Sequence, residues 1–163
     1  MSERLRRPLF ELLRRIPALR GDMSLAEAAN RIAEAGMGLP VVDDAGRLVG
    51  YLGERDLLRA LIPGYLRELH DTDFFTRDLS TLARYVASAA PTAVSEHMSR
   101  APAFVDVDDS ETHAAELFLH GDVRSLAVVD GNGEVIGVVS LGDLIADLIE
   151  TARATRPPLG NDA

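Results

Sequence analysis

The chain has 163 residues, enough for one ordinary domain or two small interdependent ones, and 47% of them are hydrophobic, which permits a genuine core. Seventeen basic and 26 acidic residues give a net charge of 17 − 26 = −9, which disfavours nucleic acid as the main partner because a phosphate backbone would be repelled. With no cysteine, disulfides, thiolate zinc sites and cysteine nucleophiles are excluded, and no apolar run approaches the length of a membrane span. We therefore expect a compact cytoplasmic protein.

The N-terminal stretch 4–15 carries leucines at helical spacing among arginines, which predicts a short amphipathic helix that ends near Pro17. A brief strand is expected directly after it. Ser24-Leu-Ala-Glu27 has the pattern of a capping box and predicts the start of a second helix, which Gly36 ends.

Two stretches further along share one pattern, in which β-branched runs flank a Gly-containing turn and lead into an apolar helical pattern. Asp43–Leu58 runs against Asp130–Ile145 at a constant offset of 87, and the match continues upstream at offsets of 86 and 85. Such repetition indicates that one supersecondary unit was duplicated and that each copy packs on the other.

Each unit is predicted to run strand, helix, strand, strand, helix. The predicted elements after the first helix are strands at 39–42 and 48–52, a helix at 54–61, a strand at 103–107, a helix at 111–120, strands at 126–129 and 135–139, and a helix at 141–152. Between the units, an apolar stripe from Leu79 to Val86 predicts another helix, and Thr92 is expected to cap a short helix through Met98. The predicted organisation is therefore a first repeat at 1–61, a helical insertion at 62–92, a second repeat at 93–152 and a disordered tail at 153–163.

The recurring pattern Leu-x-Val-Val-Asp, a turn, then Gly-φ-φ-x-x-x-Asp-φ-φ (φ apolar) resembles the CBS motif, named for cystathionine β-synthase. Leu39–Asp43 with Gly50–Leu58 carries the first match, and Leu126–Asp130 with Gly137–Ile145 carries the second. Two copies resemble a CBS pair, or Bateman module, here standing alone. The resemblance implies an α/β (α+β) fold of two pseudo-symmetric β-α-β-β-α repeats packed through their sheets, with a helical insertion between them.

The resemblance also implies a regulatory protein rather than an enzyme. Such modules bind adenosine-containing ligands (AMP, ADP, ATP, S-adenosylmethionine or NAD) in clefts between the repeats, pair into homodimers and modulate a partner protein. We expect neither a covalent cofactor nor a metal site, because the four histidines show no ligand spacing on a shared helix face.

In CBS pairs an Asp and the Ser or Thr three residues before it hold the ribose, and this pattern is complete at Asp143 and Ser140. The same two residues also fit a capping box at a helix start, and the two roles are compatible. The opposite wall of this cleft is expected to come from Ala18, Leu19, Met37, Gly38, Leu39 and Pro40.

The first copy departs from the pattern, because Gly53 stands where Ser or Thr is expected. Asp56 is left as the ribose carboxylate, with Arg55 beside it as a candidate phosphate ligand, although helix capping and a surface role would also explain these residues. We therefore expect one cleft, the one headed by Asp56, to be weaker or empty. Its opposite wall is expected to come from Ala103, Phe104, Val123, Arg124, Ser125 and Leu126. The resemblance implies that Arg124 faces a phosphate, and an ordinary surface arginine is the alternative.

Three other functions remain open. The first is an assembly module with empty clefts, which Gly53 and a loop one residue shorter at Gly38 favour. The second is an enzyme with its site in the insertion, at His70, Asp71 or Asp73, which the lack of a base-nucleophile arrangement disfavours. The third is DNA binding through the arginine-rich N-terminal helix, which the overall charge disfavours.

Overall fold

A computed structural model of the chain describes residues 9–62, 64 and 79–155. Several predicted features lie outside these residues: the start of the N-terminal helix, the candidate enzyme residues His70, Asp71 and Asp73, and the tail beyond residue 155. Residues 153–155, predicted as part of the disordered tail, instead continue the last helix.

The described elements confirm the predicted order in both repeats. The first repeat contains β1 (Leu19–Arg20), α1 (Leu25–Ala35), β2 (Leu39–Val42), β3 (Leu48–Leu52) and α2 (Glu54–Leu61). Helix α3 (Leu79–Ala89) follows, and the second repeat contains β4 (Phe104–Asp106), α4 (Glu111–His120), β5 (Ser125–Val129), β6 (Val135–Ser140) and α5 (Leu141–Thr155). Ser24 caps α1 by accepting from the Glu27 amide, and Gly36 ends it in the left-handed conformation with φ 70°.

Each repeat builds a three-stranded sheet in which the first two strands are parallel and the last two antiparallel, in the orders β1-β2-β3 and β4-β5-β6. The hairpins turn at Gly46 and Gly133, whose φ angles of 76° and 78° favour glycine. In both turns an Asp carboxylate, from Asp43 or Asp130, accepts two backbone amides. The two sheets pack on each other through β2, β5 and β6.

The segments at the start of the repeats, residues 9–14 and 94–99, are exchanged between them, and we call them the crossing segments. Leu9 is fully buried in the core of the second repeat, whereas Val94, 85 residues later, is fully buried in the core of the first. The backbone of Arg14 pairs with Val138 of β6 (N–O 2.8 and 3.0 Å), and that of Ser99 pairs with Tyr51 of β3 (2.8 and 3.0 Å). Each sheet is thus extended by a residue of the other repeat.

This exchange corrects the predicted helix at 4–15. The described part forms only a 3-10 turn at Leu9–Leu12, and the chain is then extended where Arg14 pairs with Val138. The leucines of this segment pack against the core of the second repeat, and the pairing of Arg14 with β6 overrides the local helical pattern. The short helix expected after Thr92 is likewise a 3-10 turn, Val94–Glu96. Thr92 does not cap it, since Ala93 stands at its N-cap and the Thr92 hydroxyl donates to Ala89 O at the end of α3 (2.6 Å).

Glycine recurs where the crossing segments pass over the sheets. A Cβ on Gly137 would lie 2.5 Å from Arg14 O and 2.6 Å from Leu13 Cδ1. A Cβ on Gly50, the equivalent residue, would overlap Met98 Sδ and lie 2.9 Å from Ser99 O. The glycines repeated at an offset of 87 therefore permit the two close crossings.

Candidate functional site

A cavity of about 600 Å³ lies between the repeats at the start of α2, and we call it the open cleft. Its volume is within the range of small-molecule sites in proteins, about 300–1,000 Å³. The first repeat contributes Tyr51, Gly53, Glu54, Arg55, Asp56 and Arg59, and the second contributes Ser99, Ala101, Pro102, Ala103, Gly121, Asp122, Val123 and Arg124. A ligand in this cavity would contact both repeats.

The Asp56 carboxylate lies at the N-terminus of α2, where one oxygen accepts from the Gly53 amide at 3.0 Å. Its other oxygen is 3.6 Å from an Arg59 nitrogen, beyond hydrogen-bonding distance. Asp56 therefore keeps an oxygen that can accept from a ligand hydroxyl, while its orientation is fixed by the helix start.

Three arginines surround this carboxylate. Arg55 is paired with Asp122 across the mouth of the cavity, from one repeat to the other, and both side chains are 70% exposed. Arg124 lies on the far wall, with no carboxylate of the described residues within 4 Å of its guanidinium. The open cleft thus offers a hydroxyl acceptor together with exposed arginines from both repeats.

The floor of the open cleft is held by a buried chain of hydrogen bonds between the repeats. The Tyr51 hydroxyl is 3.0 Å from Ser125 Oγ, and Ser125 donates to Gly38 O at 2.6 Å. Burial raises the pKa of the Tyr51 phenol, so this side chain stays neutral and hydrogen-bonded at physiological pH.

The equivalent cleft in the other half is headed by Asp143, whose carboxylate is already occupied. Arg14 Nε lies 2.5 Å from Asp143 Oδ2, and Arg14 Nη2 lies 2.7 Å from Oδ1, so the pair is bidentate. The hydrogen bond from Arg14 holds the pKa of Asp143 below its usual value, against an opposing effect of desolvation. Ser140 is buried and accepts from the Asp143 amide at 3.0 Å, which is the helix-capping role anticipated from the sequence.

Arg14 also divides the space around Asp143, and we call this region the divided cleft. Three separate cavities, of about 650, 380 and 340 Å³, all have Arg14 in their walls. The rest of their walls includes the repeat equivalents of residues that line the single open cleft: Ile16, Pro17, Ala35, Gly36, Met37, Ser140, Leu141, Gly142, Asp143 and Ala146.

The structure brings together only part of the predicted site. Asp56, Arg55, Val123 and Arg124 meet in the open cleft, with Ala103 rather than Phe104 in its wall. In the divided cleft, Ser140, Asp143, Met37 and Leu39 line cavities. The other predicted wall residues do not line these cavities. Leu19 and Leu126 are core residues, Gly38, Pro40 and Ser125 are buried, and Ala18 is half-buried.

Sequence reasoning missed Arg14, Ser99, Tyr51 and Arg59 as site residues. The upstream match at an offset of 85 contained a usable signal, because it also places Arg14 opposite Ser99 (99 − 14 = 85). It could not show that the crossing segments deliver these two side chains to opposite clefts.

None of the helices in the described ranges combines the length and hydropathy needed to cross a bilayer. In the same part of the chain, no three histidine or acidic side chains converge as ligands for a metal ion.

Comparison with known proteins places these features in one family. The family model described as "CBS domain" matches residues 10–63 and 94–150. A chloroplast CBS domain-containing protein of Arabidopsis thaliana, CBSX2, is 31% identical over 124 residues, which is 72% of this chain and 52% of the plant protein. The chain thus spans about half the length of that relative.

Solved structures share the fold. The crystal structure of CBSX2 in complex with AMP aligns with a TM-score of 0.65 and 24% identity, over 90% of this chain and 98% of that one. The cytosolic domain of the Mg²⁺ channel MgtE in complex with ATP aligns with a TM-score of 0.59 and 23% identity, over 86% of this chain and 48% of that one. With its two matched repeats, its paired three-stranded sheets and its exchanged leading segments, the chain belongs to the CBS-domain family.

Proposed function

We propose that the chain is a regulatory module that binds an adenosine-containing nucleotide in the open cleft and thereby modulates a partner protein. The observation that carries this proposal is the cavity of about 600 Å³ that both repeats line, with the Asp56 carboxylate and three arginines at its walls. Binding here would link the two repeats through one ligand.

The chemistry of the open cleft suits a ribonucleotide. The available oxygen of Asp56 can accept from ribose hydroxyls, and charge-assisted hydrogen bonds of this kind contribute about 1.5–3 kcal/mol. Arg55, Arg59 and Arg124 can face phosphates, to which guanidinium groups bind in a bidentate manner. Apolar wall residues such as Val123 and Pro102 can cover a base.

The relatives support the ligand class. CBSX2 has been solved with AMP, and the cytosolic domain of MgtE with ATP. We extend that class to this chain as AMP, ADP or ATP, with S-adenosylmethionine and NAD as the further adenosine-containing candidates.

The regulatory mechanism would be a shift between relative packings of the two repeats. A ligand that contacts both Asp56 and Arg124 favours the packing in which these residues face each other, and only this differential affinity can move the equilibrium. A nucleotide phosphate would also compete with Asp122 for Arg55, and so would replace a contact between repeats. The partner would sense the resulting change.

Calorimetric titration of the purified chain with AMP, ADP, ATP, S-adenosylmethionine and NAD tests the proposal. Asp56→Ala should weaken the binding of the preferred nucleotide by about 10- to 100-fold, which corresponds to about 1.5–3 kcal/mol. Asp108→Ala, which removes an exposed carboxylate outside the open cleft, is the matched control and should bind like the wild type. Equal affinities for Asp56→Ala and Asp108→Ala would refute the proposed site.

Homodimerisation is the second part of the proposal. Leu58 on α2 and its equivalent on α5, Ile145, are both about half exposed, and Leu148 and Ile149 extend the apolar surface of α5. A second copy would cover these faces symmetrically, as a two-fold interface requires. Light scattering after gel filtration should give a dimer mass, and Ile145→Arg should give a monomer mass.

A ligand-free assembly module is the alternative function, and the Asp143–Arg14 pair in the divided cleft favours it at that site. It predicts a dimer mass with no heat of binding for any of the five nucleotides. The same two measurements therefore separate the functions.

A further inference from the structure

The side chain of Arg14 occupies the position that a ligand hydroxyl group would need at Asp143. Both carboxylate oxygens accept from its guanidinium, at 2.5 and 2.7 Å. At Asp56 in the open cleft, by contrast, the residue equivalent to Arg14 is Ser99, and its short side chain leaves one cavity of about 600 Å³. Several lining positions differ between the clefts, and among them Arg14 is the residue whose side chain binds the acidic residue of its cleft.

The backbone of Arg14 is held in place from both sides. It exchanges two hydrogen bonds with Val138, and Leu9, five residues earlier, is fully buried in the core of the second repeat. The Arg14 carbonyl and the Leu13 side chain also pack closely over Gly137. Only the guanidinium arm can move without disrupting a core.

We propose that Arg14 is an intramolecular occupant of the divided cleft, which restricts each chain to a single nucleotide, bound in the open cleft. This inference rests on the proposed function, because it concerns the number of ligands that the CBS pair takes. It assigns Arg14 and Ser99 as the residues that determine which cleft accepts a ligand.

Arg14 hinders nucleotide binding at Asp143 both electrostatically and sterically. A ribose hydroxyl would have to replace a bidentate ionic hydrogen bond with a neutral donor, which is a weaker interaction with a carboxylate. Arg14 also lines three cavities: the largest, about 650 Å³, does not reach Asp143, and the one that Asp143 lines, about 380 Å³, is smaller than the open cleft. A nucleotide that used Asp143 would therefore need the guanidinium to swing away.

A reciprocal exchange of the two residues tests the inference. Arg14→Ser should open the divided cleft and raise the number of AMP or ATP molecules bound per chain from one to two in calorimetric titration. Ser99→Arg should fill the open cleft and weaken its binding by at least about tenfold. Arg15→Ser, which removes the adjacent exposed arginine, is the control and should keep the wild-type number.

Different measurements test the proposed function and the role of Arg14. Binding by the wild type tests the proposed function, whereas the additional molecule bound by Arg14→Ser tests the role of Arg14. A wild type that binds one nucleotide and an Arg14→Ser variant that also binds one would overturn the inference alone. If the wild type bound no nucleotide and Arg14→Ser bound one, Arg14 would remain the occupant of the divided cleft, but the open cleft would be refuted as the nucleotide site. The inference is rejected if Arg14→Ser binds no additional nucleotide. It is also rejected if Arg14→Ser binds nucleotide more weakly than the wild type, which is expected if Arg14 is itself a phosphate ligand.

Discussion

The open and divided clefts arise from the same duplicated unit, and yet they differ in the state of their acidic residue. Asp56 uses one oxygen to cap α2 and keeps the other beyond hydrogen-bonding distance of Arg59, whereas Asp143 has both oxygens bound by Arg14. The backbones that frame the clefts are equivalent: both sheets have the same strand order, and both crossing segments pair with the third strand of the other repeat. A duplication can therefore preserve the backbone frame of two clefts while substituted side chains, Arg14 among them, change the state of the acidic residue.

The two clefts also show how far a sequence pattern can predict an accessible carboxylate. The complete Ser140–Asp143 pattern favours binding at that cleft, and Gly53 disfavours it at the other. The geometry instead favours the cleft headed by Asp56, because its carboxylate and cavity are accessible. Ser140 serves the helix start, where it accepts from the Asp143 amide, so a complete pattern does not by itself imply an available site.

The largest expected effect comes from removing the anchor of the crossing segment that carries Arg14. Leu9→Ala should lower the free energy of unfolding by about 2–5 kcal/mol, because Leu9 is fully buried in the second repeat. Urea unfolding measures this change, with Phe10→Ala, at an exposed neighbour, as the control. A Leu9→Ala variant as stable as Phe10→Ala would contradict the buried crossing.

The next largest loss of stability should come from adding a side chain where a crossing segment passes over β6. Gly137→Ala places a Cβ 2.5 Å from the Arg14 carbonyl and should cost about 1–3 kcal/mol of stability. Gly50→Ala should cost less, because its backbone contact, Ser99 O at 2.9 Å, is less close and Met98, its nearest contact, is a flexible side chain. Gly131→Ala, where no atom lies within 4 Å, is the control in the same unfolding experiment, and equal costs at all three positions would be inconsistent with the crossings.

A smaller effect is expected from the hydrogen bonds at the floor of the open cleft. Tyr51→Phe removes the hydroxyl that bonds to buried Ser125 and should cost about 0.5–1.5 kcal/mol. A double-mutant cycle with Ser125→Ala in urea unfolding should show that the two changes are not additive, since they share one hydrogen-bond chain. Additive costs would indicate that the two hydroxyls act independently.

The smallest effect should be that of the Arg14–Asp143 pair on stability, because the side chains are 47% and 30% exposed. Arg14→Ser should cost about 0.2–1 kcal/mol at pH 7, and less in high salt. Arg14 lowers the pKa of Asp143 in the folded chain, so its stabilisation is present above the usual value of 3.8 and is lost as the pH falls through the lower folded value.

Unfolding of the wild type and Arg14→Ser at pH 7, 5 and 3 tests this dependence. The difference in unfolding free energy should be retained at pH 5 and should decrease at pH 3. Arg15→Ser is the control for loss of one positive charge from the same segment. A difference that grows on acidification would contradict the assigned sign.

Much of the architecture followed from local patterns. The bounds of β2, β3, α2 and α4 match those predicted, because alternating apolar residues, turn glycines and capping serines act within a few residues of each other. The repeated Gly50 and Gly137 were visible as a pattern, although their reason was not, since the atoms that they accommodate belong to segments distant in sequence.

By itself, the sequence determined that this protein contains two copies of one β-α-β-β-α unit, and it indicated where each helix with a capping residue begins. Only the tertiary structure decided that the leading segments are exchanged and that Arg14 reaches Asp143, 129 positions away. The physical reason is that local propensities act over a few bonds, whereas the state of a cleft depends on which side chain a strand pairing between repeats delivers to it. One arginine, paired through its backbone with β6, therefore binds the carboxylate of the cleft that carries the complete local pattern.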